Sequence, residues 1–537
     1  MSVKYPNMIG DMYTGNMSLE QINMLLSIFA TDEIPALKRY IYVFPPEILL
    51  EAMEKGIGAL ELCQIKNIDT SQYIGELRNY QTTGVAFMYY SPRSILGDGV
   101  GLGKTVEVSA LLNVLRIKKE LTKFIMAVET SAVGQVQSEL MKFTGLNVIS
   151  IPSTAAKMRK VLEGGLVDWD KVDGVVIKHS TLRSDTFSSW MSKFIDNATG
   201  KCNMFNTLII DESSVIKNND SKTYYYTENL CNCMERVHCL NATAFELCLL
   251  DIYNQLDMIE PNVLPKRWRI EKEFCKYGFK PYWVRVGGAP TQKFSRQLTG
   301  YQNQEKFKNS LKLFYYGRPK EVALGEDTHE YKVYTVDPTM DQLVAIKRKH
   351  RYNEVLNCPS LIPELNIATN RKTVPKIERL IQVIKNEFTG CKVMVYCFHI
   401  EAQHAIKREL EEEGFNVVLL NGETQDSERK QIMDQFNTGD ADIIITNIKK
   451  SLNLWNGDAC IYYSIEVNPA QLEQIHGRID RNVDEKHKTY IMMLYDNTPE
   501  YDYITSVVKR RGQDARALTI DAKTTIDKFM DFLSGIQ

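Results

Sequence analysis

The sequence predicts an α/β protein with two parallel sheets, each carrying helices on both faces, a mostly helical insertion between them and a small N-terminal accessory unit. Three observations carry this. Short apolar runs alternate with amphipathic stretches from residue 105 to 177, the alternation returns from 375 to 446, and the residues between break it. Runs such as Phe124-Ile125-Met126-Ala127-Val128 suit strands buried on both faces, and each parallel neighbour requires a helical crossover. At 537 residues the chain is too long for one core, so about three or four units are expected. The boundaries fall at 1–75 (accessory region), 76–250 (first sheet), 251–370 (insertion), 371–510 (second sheet) and 511–537 (helical tail).

Hydrophobic content of 44% and charged content of 25% are those of a soluble globular protein. No apolar run is long enough to span a bilayer and no basic-then-apolar leader follows Met1, so a cytoplasmic location without a membrane partner is expected. The 65 Lys and Arg against 67 Asp and Glu give a formal charge of −2, which argues against coating nucleic acid by bulk charge but leaves a local basic groove open. The 11 cysteines lack paired metal-ligand spacing; Cys231-Asn232-Cys233 with His238 has no second ligand pair, so they are read as reduced core thiols.

Taken in order, residues 1–75 offer helix-like spacing at Ile22, Leu25, Leu26, Ile28 and Phe29, a strand candidate at 41–44, and Pro45-Pro46 opening a helix to Leu62, with no identifiable chemistry. Gln81 then precedes an amphipathic helix, and its carboxamide matches the donor and acceptor pattern of an adenine edge. Next comes Leu96-Gly97-Asp98-Gly99-Val100-Gly101-Leu102-Gly103-Lys104-Thr105. Glycines 99, 101 and 103 let backbone N–H groups turn inward around an anion, and the following helix directs its N-terminus at the same charge. Lys104 is placed to reach outer phosphates and Thr105 to hold Mg²⁺. The strict G-x-x-x-x-G-K-[ST] pattern fails at one position, where Asp98 stands for glycine.

After a helix over 105–118, strands at 124–128, 148–151 and 174–177 alternate with helices at 133–143 and 154–163. Two strand ends meet polar loops, Glu129-Thr130-Ser131 and Lys178-His179-Ser180-Thr181, where ligands of open α/β sheets sit; these hydroxyls suit phosphates or helix caps. Thr207-Leu208-Ile209-Ile210 delivers two adjacent carboxylates to a strand end, Asp211 for Mg²⁺ and Glu212 to orient an attacking water and take its proton. Leu240-Asn241-Ala242-Thr243-Ala244 closes another strand. The insertion reads as long polar and aromatic helices with basic segments at 266–269, 306–308 and 347–351, which suit either a nucleic-acid track or a solvated face. In the second sheet, helices at 375–387, 401–414 and 426–436 alternate with strands at 392–397, 416–420 and 442–446, the last ending in Thr446. Gln474, Arg478 and Arg481 then fall at i, i+4 and i+7, one face of a predicted helix, and aim three donors at one target. Fork-shaped, always-charged guanidinium groups are what a developing phosphoryl charge requires.

This order of signals resembles the superfamily-two helicases over about residues 75 to 510, and within them the Swi/Snf-type helicase-like ATPases. Their phosphate loop, commonly Asp-Glu-Met-Gly-Leu-Gly-Lys-Thr, is similar to Asp98-Gly99-Val100-Gly101-Leu102-Gly103-Lys104-Thr105, so Asp98 becomes part of the match. Leu77-Arg78-Asn79-Tyr80-Gln81 resembles the family's Leu-Arg-Pro-Tyr-Gln, Val467-Asn468-Pro469 its Trp-Asn-Pro, and Ile216-Lys217-Asn218 the Lys-Asn after its acidic box. Departures are Ser213-Ser214 in place of Ala-His, Leu240-Asn241-Ala242-Thr243-Ala244 in place of Leu-Thr-Gly-Thr-Pro, and Ser451-Leu452-Asn453-Leu454 in place of Gly-Leu-Asn-Leu.

The resemblance implies two RecA-like lobes clamping ATP and Mg²⁺, with Gln81, Lys104, Thr105, Asp211 and Glu212 from the first and Arg478 and Arg481 from the second. Nucleic acid is expected along Thr130, Ser131, Ser180, Thr181 and Thr446 and the insertion. The expected activity is an ATP-dependent DNA helicase or translocase acting on double-stranded or branched DNA in repair, recombination, replication or remodelling. An RNA helicase and a nucleotide-gated clamp are the alternatives. A monomer from a bacterial, phage or viral source is expected, with protein partners left open.

Overall fold

The computed structural model describes residues 3–4, 16–17, 68–242, 249–259, 266–286, 289–311, 314–318, 329–340, 342–344, 374–449, 452–466, 468–480, 487–509 and 525–534, with isolated positions elsewhere. The chain divides into two compact units, one running to Pro319 and one starting at Lys320. Most of the accessory region 1–75, the basic run 347–351, Thr243 and Arg481 lie outside the described residues.

Unit 1 is built on seven strands: β1 (Arg93–Leu96), β2 (Phe124–Val128), β3 (Val148–Ser150), β4 (Gly174–Lys178), β5 (Thr207–Ile210), β6 (Arg236–Leu240) and, far along the chain, a strand at Tyr315–Tyr316. Every pairing in this sheet is parallel, and its order is Tyr315–Tyr316, β1, β6, β5, β2, β4, β3. Alternation of side chains along each strand makes two cores from one sheet. Phe124, Met126 and Val128 pack with helices Asn79–Tyr90 and Lys104–Ile117, whereas Ile125 and Ala127 face the opposite layer with Leu208, Ile210 and Val237. The opposite layer also holds Cys231, Cys233 and Cys239, where burial pushes the Cys231 thiol up to about 12 and Cys233 to about 11.

The described part of the region expected to be mostly helical also contains strands. Its described residues contain helices Arg267–Phe274 and Gln304–Leu311, but between them stands a long antiparallel hairpin, β7 (Cys275–Val286) and β8 (Ala289–Tyr301). Gly287-Gly288 between two runs rich in aromatic and β-branched residues is a two-residue hairpin signal, and Pro281 and Pro290 exclude a helix interior. Both prolines are tolerated because each strand of the hairpin is an edge. Gln304–Leu311 leads to the strand Tyr315–Tyr316, which is β9 and completes the first sheet.

Unit 2 has six parallel strands, β10 (Glu330–Val336), β11 (Val393–Tyr396), β12 (Val417–Leu420), β13 (Ile443–Thr446), β14 (Ala459–Tyr462) and β15 (Thr489–Tyr495), in the order β10-β15-β14-β11-β13-β12. Helix Pro375–Glu387 is tied to helix Pro499–Tyr503 by a fully buried ion pair, Lys376 Nζ to Glu500 Oε1 at 3.3 Å. Among the described residues no helix is long and apolar enough to cross a membrane.

Candidate functional site

The site of unit 1 begins where buried β1 runs out. Gly101 and Gly103 both take φ of +85°, the left-handed region that glycine enters at no steric cost. A Cβ on Gly103 would stand 2.6 Å from the Gln81 amide nitrogen. Gln81 therefore serves the loop. Its Nε2 donates to the Leu102 carbonyl at 3.0 Å, its Oε1 accepts from the Arg78 N–H at 3.0 Å, and the Tyr80 hydroxyl donates to the same Leu102 carbonyl at 3.0 Å. These contacts use one of the two Nε2 hydrogens and one of the two Oε1 lone pairs, so the carboxamide braces the loop and keeps a donor and an acceptor for an adenine edge.

Lys104 lies over the loop, its Nζ donating to the carbonyls of Asp98 (2.8 Å) and Gly99 (3.4 Å). Thr105 follows as the second residue of helix Lys104–Ile117, its carbonyl accepting from the Ser109 hydroxyl. Asp98 enters the site through its backbone, because its fully buried carboxylate is occupied by Arg318: the backbone N–H donates at 3.1 Å, Nε at 3.0 Å, and Nη2 closes a further contact. The same guanidinium donates to Glu107 Oε1 at 2.8 Å and to the Tyr80 carbonyl. Glu107 is fully buried, and its other oxygen has no hydrogen-bond partner. Burial first, then the neighbouring Asp98 charge, push the Glu107 carboxyl well above its usual range despite Arg318. Helix Asn79–Tyr90 passes close enough that a Cβ on Gly84 would collide with Glu107 Oε1. Arg318 sits 220 residues from Asp98 and was not singled out in the sequence. It is held there because the backbone beside β1 continues past β9: Gly97 N–H donates to the Tyr316 carbonyl (2.6 Å) and Gly99 N–H to the Arg318 carbonyl (2.8 Å).

The acidic box lies in the same sheet. β5 is buried at every position, and Asp211 extends its pairing, its N–H donating to the Ala127 carbonyl at 2.9 Å. The Glu212 N–H donates to Asp211 Oδ1 at 2.9 Å, and Glu212 holds φ +47°, ψ +54°, a left-handed conformation rare for a non-glycine residue and frequent where strain serves function. Burial and the Glu212 charge raise the Asp211 carboxyl to about 7, against a lowering by the Lys104 ammonium. His179 Nε2 meets the Asp211 carbonyl at 2.7 Å, so the loop after β4 buttresses the box. Beyond it the Ser213 hydroxyl donates to Gln255 Oε1 at 2.6 Å, and Asn241 Nδ2 reaches the same oxygen at 3.4 Å. Gln255, on helix Leu249–Ile259, thus joins the acidic box to the end of β6.

Of the hydroxyls assigned to nucleic acid, Thr130, Ser131 and Ser180 are exposed. Thr181 is buried, and so is Thr446, whose hydroxyl accepts from the Ile448 N–H at 3.0 Å. These two are corrections: Thr181 is turned inward by the short helix His179–Leu182 that follows β4, and Thr446, the last residue of its strand, still faces the core.

In unit 2 the helix ends at His476, short of the single face expected over 474–481, because Gly477 follows and the Arg478 N–H bonds back to the Ile475 carbonyl instead. Gln474 and Arg478 are both buried, with Arg478 Nε donating to the Gln474 carbonyl (2.7 Å) and Nη1 to the Leu452 carbonyl (3.3 Å). Two residues on, Asp480 accepts from His329 Nε2 at 3.0 Å and pairs with Lys320. Burial opposes its ionisation, yet His329, His476 and Lys320 hold its carboxyl well below the usual range.

A family model for the SNF2-related domain matches residues 80–298, and one for the helicase conserved C-terminal domain matches residues 375–483. An uncharacterized ATP-dependent helicase, YqhH of Bacillus subtilis, is 23% identical over 439 residues, spanning 76% of this chain and 73% of that protein. Human chromodomain-helicase-DNA-binding protein 7 is 20% identical over 478 residues, 82% of this chain but 16% of its own length. Among solved structures, a variant of S. cerevisiae Dbp5 bound to RNA and ADP BeF3 aligns over 92% of this chain and 97% of its own at 12% identity, with a TM-score of 0.51, a likeness of fold.

Proposed function

We propose, from the premise that this chain is an ATPase of the Swi/Snf type within helicase superfamily 2, that it uses ATP hydrolysis to move along double-stranded DNA. The observation that carries the hydrolytic half is the meeting of the phosphate loop and the acidic box in one sheet, close enough for Lys104 to lower the pKa of Asp211. Lys104 takes the outer phosphates, and Glu212, fixed by its left-handed backbone, orients a water and accepts its proton. The hard oxygens of Thr105 and Asp211 fit Mg²⁺, which takes one or two protein ligands and completes its shell with water and phosphate. When bound, the cation supplies charge neutralisation on the phosphates, and it would relieve the crowding that raises Asp211. Arg478 is engaged by carbonyls of its own unit, and by the family resemblance it and Arg481 are the guanidinium donors for the phosphoryl charge.

The DNA half rests on the family and on the exposed hydroxyls Thr130, Ser131 and Ser180 at strand ends. The test compares ATPase rates with double-stranded DNA, single-stranded DNA, branched DNA and RNA, followed by displacement of a triplex-forming strand. Duplex DNA is expected to stimulate most, and triplex displacement to require ATP. Equal stimulation by RNA points to an RNA helicase, and stimulation without displacement to a clamp; either overturns translocation on DNA. Glu212→Gln is expected to bind ATP and abolish turnover, and full activity in that variant would remove Glu212 from its role.

A further inference from the structure

The β7–β8 hairpin carries a surface that the ATPase site does not use. Residues 275–301 contain five cationic residues (Lys276, Lys280, Arg285, Lys293 and Arg296) and no Asp or Glu, in a chain whose formal charge is −2. The register sets Tyr277 opposite Leu298, Phe279 opposite Arg296, and Pro281 opposite Phe294, so these six residues share one face. At its base that face belongs to the core of unit 1: Cys275 and Tyr301 are buried, and Tyr277 and Leu298 pack against them. Further out the core ends and the face continues. Phe279 is 73% exposed and Phe294 63%, while the Arg296 guanidinium lies 3.6 Å from the centroid of the Tyr277 ring with its side chain still 54% exposed.

Two uncovered aromatic rings flanking an arginine, on an element with cationic residues alone, are costly to leave in water without a use. A protein partner could cover the rings, but the charge selects a polyanion. Nucleobases have two flat faces for Phe279 and Phe294 to stack on, and their phosphates match the Arg296 guanidinium on the same face, which reaches Glu271 at 3.9 Å, while Lys276 and Lys293 add positive charge on the opposite face of the ribbon. Bases inside a duplex are already stacked on each other, so an extended hairpin reaches them where a strand is unpaired.

We infer that the Phe279–Arg296–Phe294 face of this hairpin binds unpaired nucleobases of DNA by stacking, giving the protein a contact for single strands or fork junctions distinct from its ATPase site. This rests on the reading of the chain as a nucleic-acid-dependent ATPase, and the experiment separates the two. The double variant F279A/F294A, altered only at exposed rings, and its counterpart F279W/F294W are compared with the parent for binding to labelled forked DNA, single-stranded DNA, blunt duplex and a forked RNA, with ATPase rates alongside. The alanine variant is expected to lose about tenfold or more in affinity for the fork and the single strand, with duplex-stimulated ATPase unchanged and the tryptophan variant near the parent. Parent-like binding of the fork by the alanine variant overturns the inference while leaving the ATPase reading intact. Equal loss on blunt duplex, or a tryptophan variant as weak as the alanine one, replaces stacking with a general backbone contact and also overturns it. A preference of the parent for forked RNA over forked DNA reassigns the strand and overturns the DNA assignment. A parent ATPase indifferent to every nucleic acid removes both readings together.

Discussion

Replacing Arg318 by methionine keeps the length of the side chain and takes away the one cation shared by two buried carboxylates. Asp98 and Glu107 are fully buried and Arg318 nearly so, so water cannot substitute for what is lost. Removing one partner of a buried ion pair costs about 3–5 kcal/mol, chiefly because the other charge is left uncompensated. For a domain of about 150–250 residues each kcal/mol moves the midpoint by about 2–4 °C, so the unit 1 transition is expected to fall by about 6–20 °C. Calorimetry is the suitable assay because it resolves the transitions of two units where one spectroscopic midpoint would merge them. Binding of a fluorescent ATP analogue should weaken in parallel, since Asp98 and Gly99 supply the carbonyls under Lys104. Adding Asp98→Asn and Glu107→Gln to Arg318→Met removes the stranded charges and should recover most of the midpoint. A midpoint lowered by less than about 2 °C, or a triple variant no better than the single one, would refute the account of Arg318 as the counter-ion of the loop.

Three other expectations follow from the same groups and their neighbours. Glu107, its carboxyl raised by burial, contributes stability in full below its ordinary 4.5 and loses it as pH rises through the folded-state value; Glu107→Gln should abolish that decline in pH-dependent denaturation of unit 1. His238 behaves oppositely: burial, with Arg236 and Arg93 nearby, lowers it to about 3, so its contribution is complete above 6.5 and falls with pH below that, by up to about 1.4 kcal/mol per pH unit. His238→Gln should therefore flatten the acid limb, and an unchanged limb between pH 6.5 and 4.5 would exclude His238 as its source. Gln255→Leu, which leaves Ser213 and Asn241 without their common acceptor, should keep ATP binding while reducing nucleic-acid stimulation at least about tenfold, the scale of a lost buried hydrogen-bond pair; stimulation equal to the parent would deny Gln255 a coupling role.

Much of both sheets was legible because buried parallel strands are written as uninterrupted apolar runs: Phe124–Val128 and Thr207–Ile210 are buried at every position. The Gly-Lys-Thr loop and the Asp211-Glu212 box were legible for a similar reason, since a backbone cradle and a strand-end carboxylate pair are both local patterns. What was not legible depended on distance or on direction. Arg318 meets Asp98 across 220 residues, and no local spacing marks an arginine that is to be buried. The bracing of the loop by Gln81 depends on the Leu102 carbonyl and the Arg78 N–H, backbone groups that no side-chain pattern marks. Thr181 and Thr446 sit at strand ends as expected, yet a single turn decides whether a hydroxyl meets solvent or core. The hairpin fell within the insertion read as mostly helical, although Gly287-Gly288 between two runs rich in aromatic and β-branched residues is a two-residue hairpin signal.

The late position of β9 bears on how the protein is made. During synthesis at about 5–20 residues per second, roughly 10–45 s separate the emergence of Asp98 from that of Arg318. Throughout that interval β1 has no neighbour on the side later taken by Tyr315 and Tyr316, and the carboxylate of Asp98 has no counter-ion. A nascent chain in that state exposes an apolar parallel edge, the kind of template on which strands from other chains pair. The order of the sheet therefore makes the nucleotide loop one of the last parts of unit 1 to mature, and makes chaperone dependence and ribosome pausing near residue 318 the natural place to look for control over the yield of active protein.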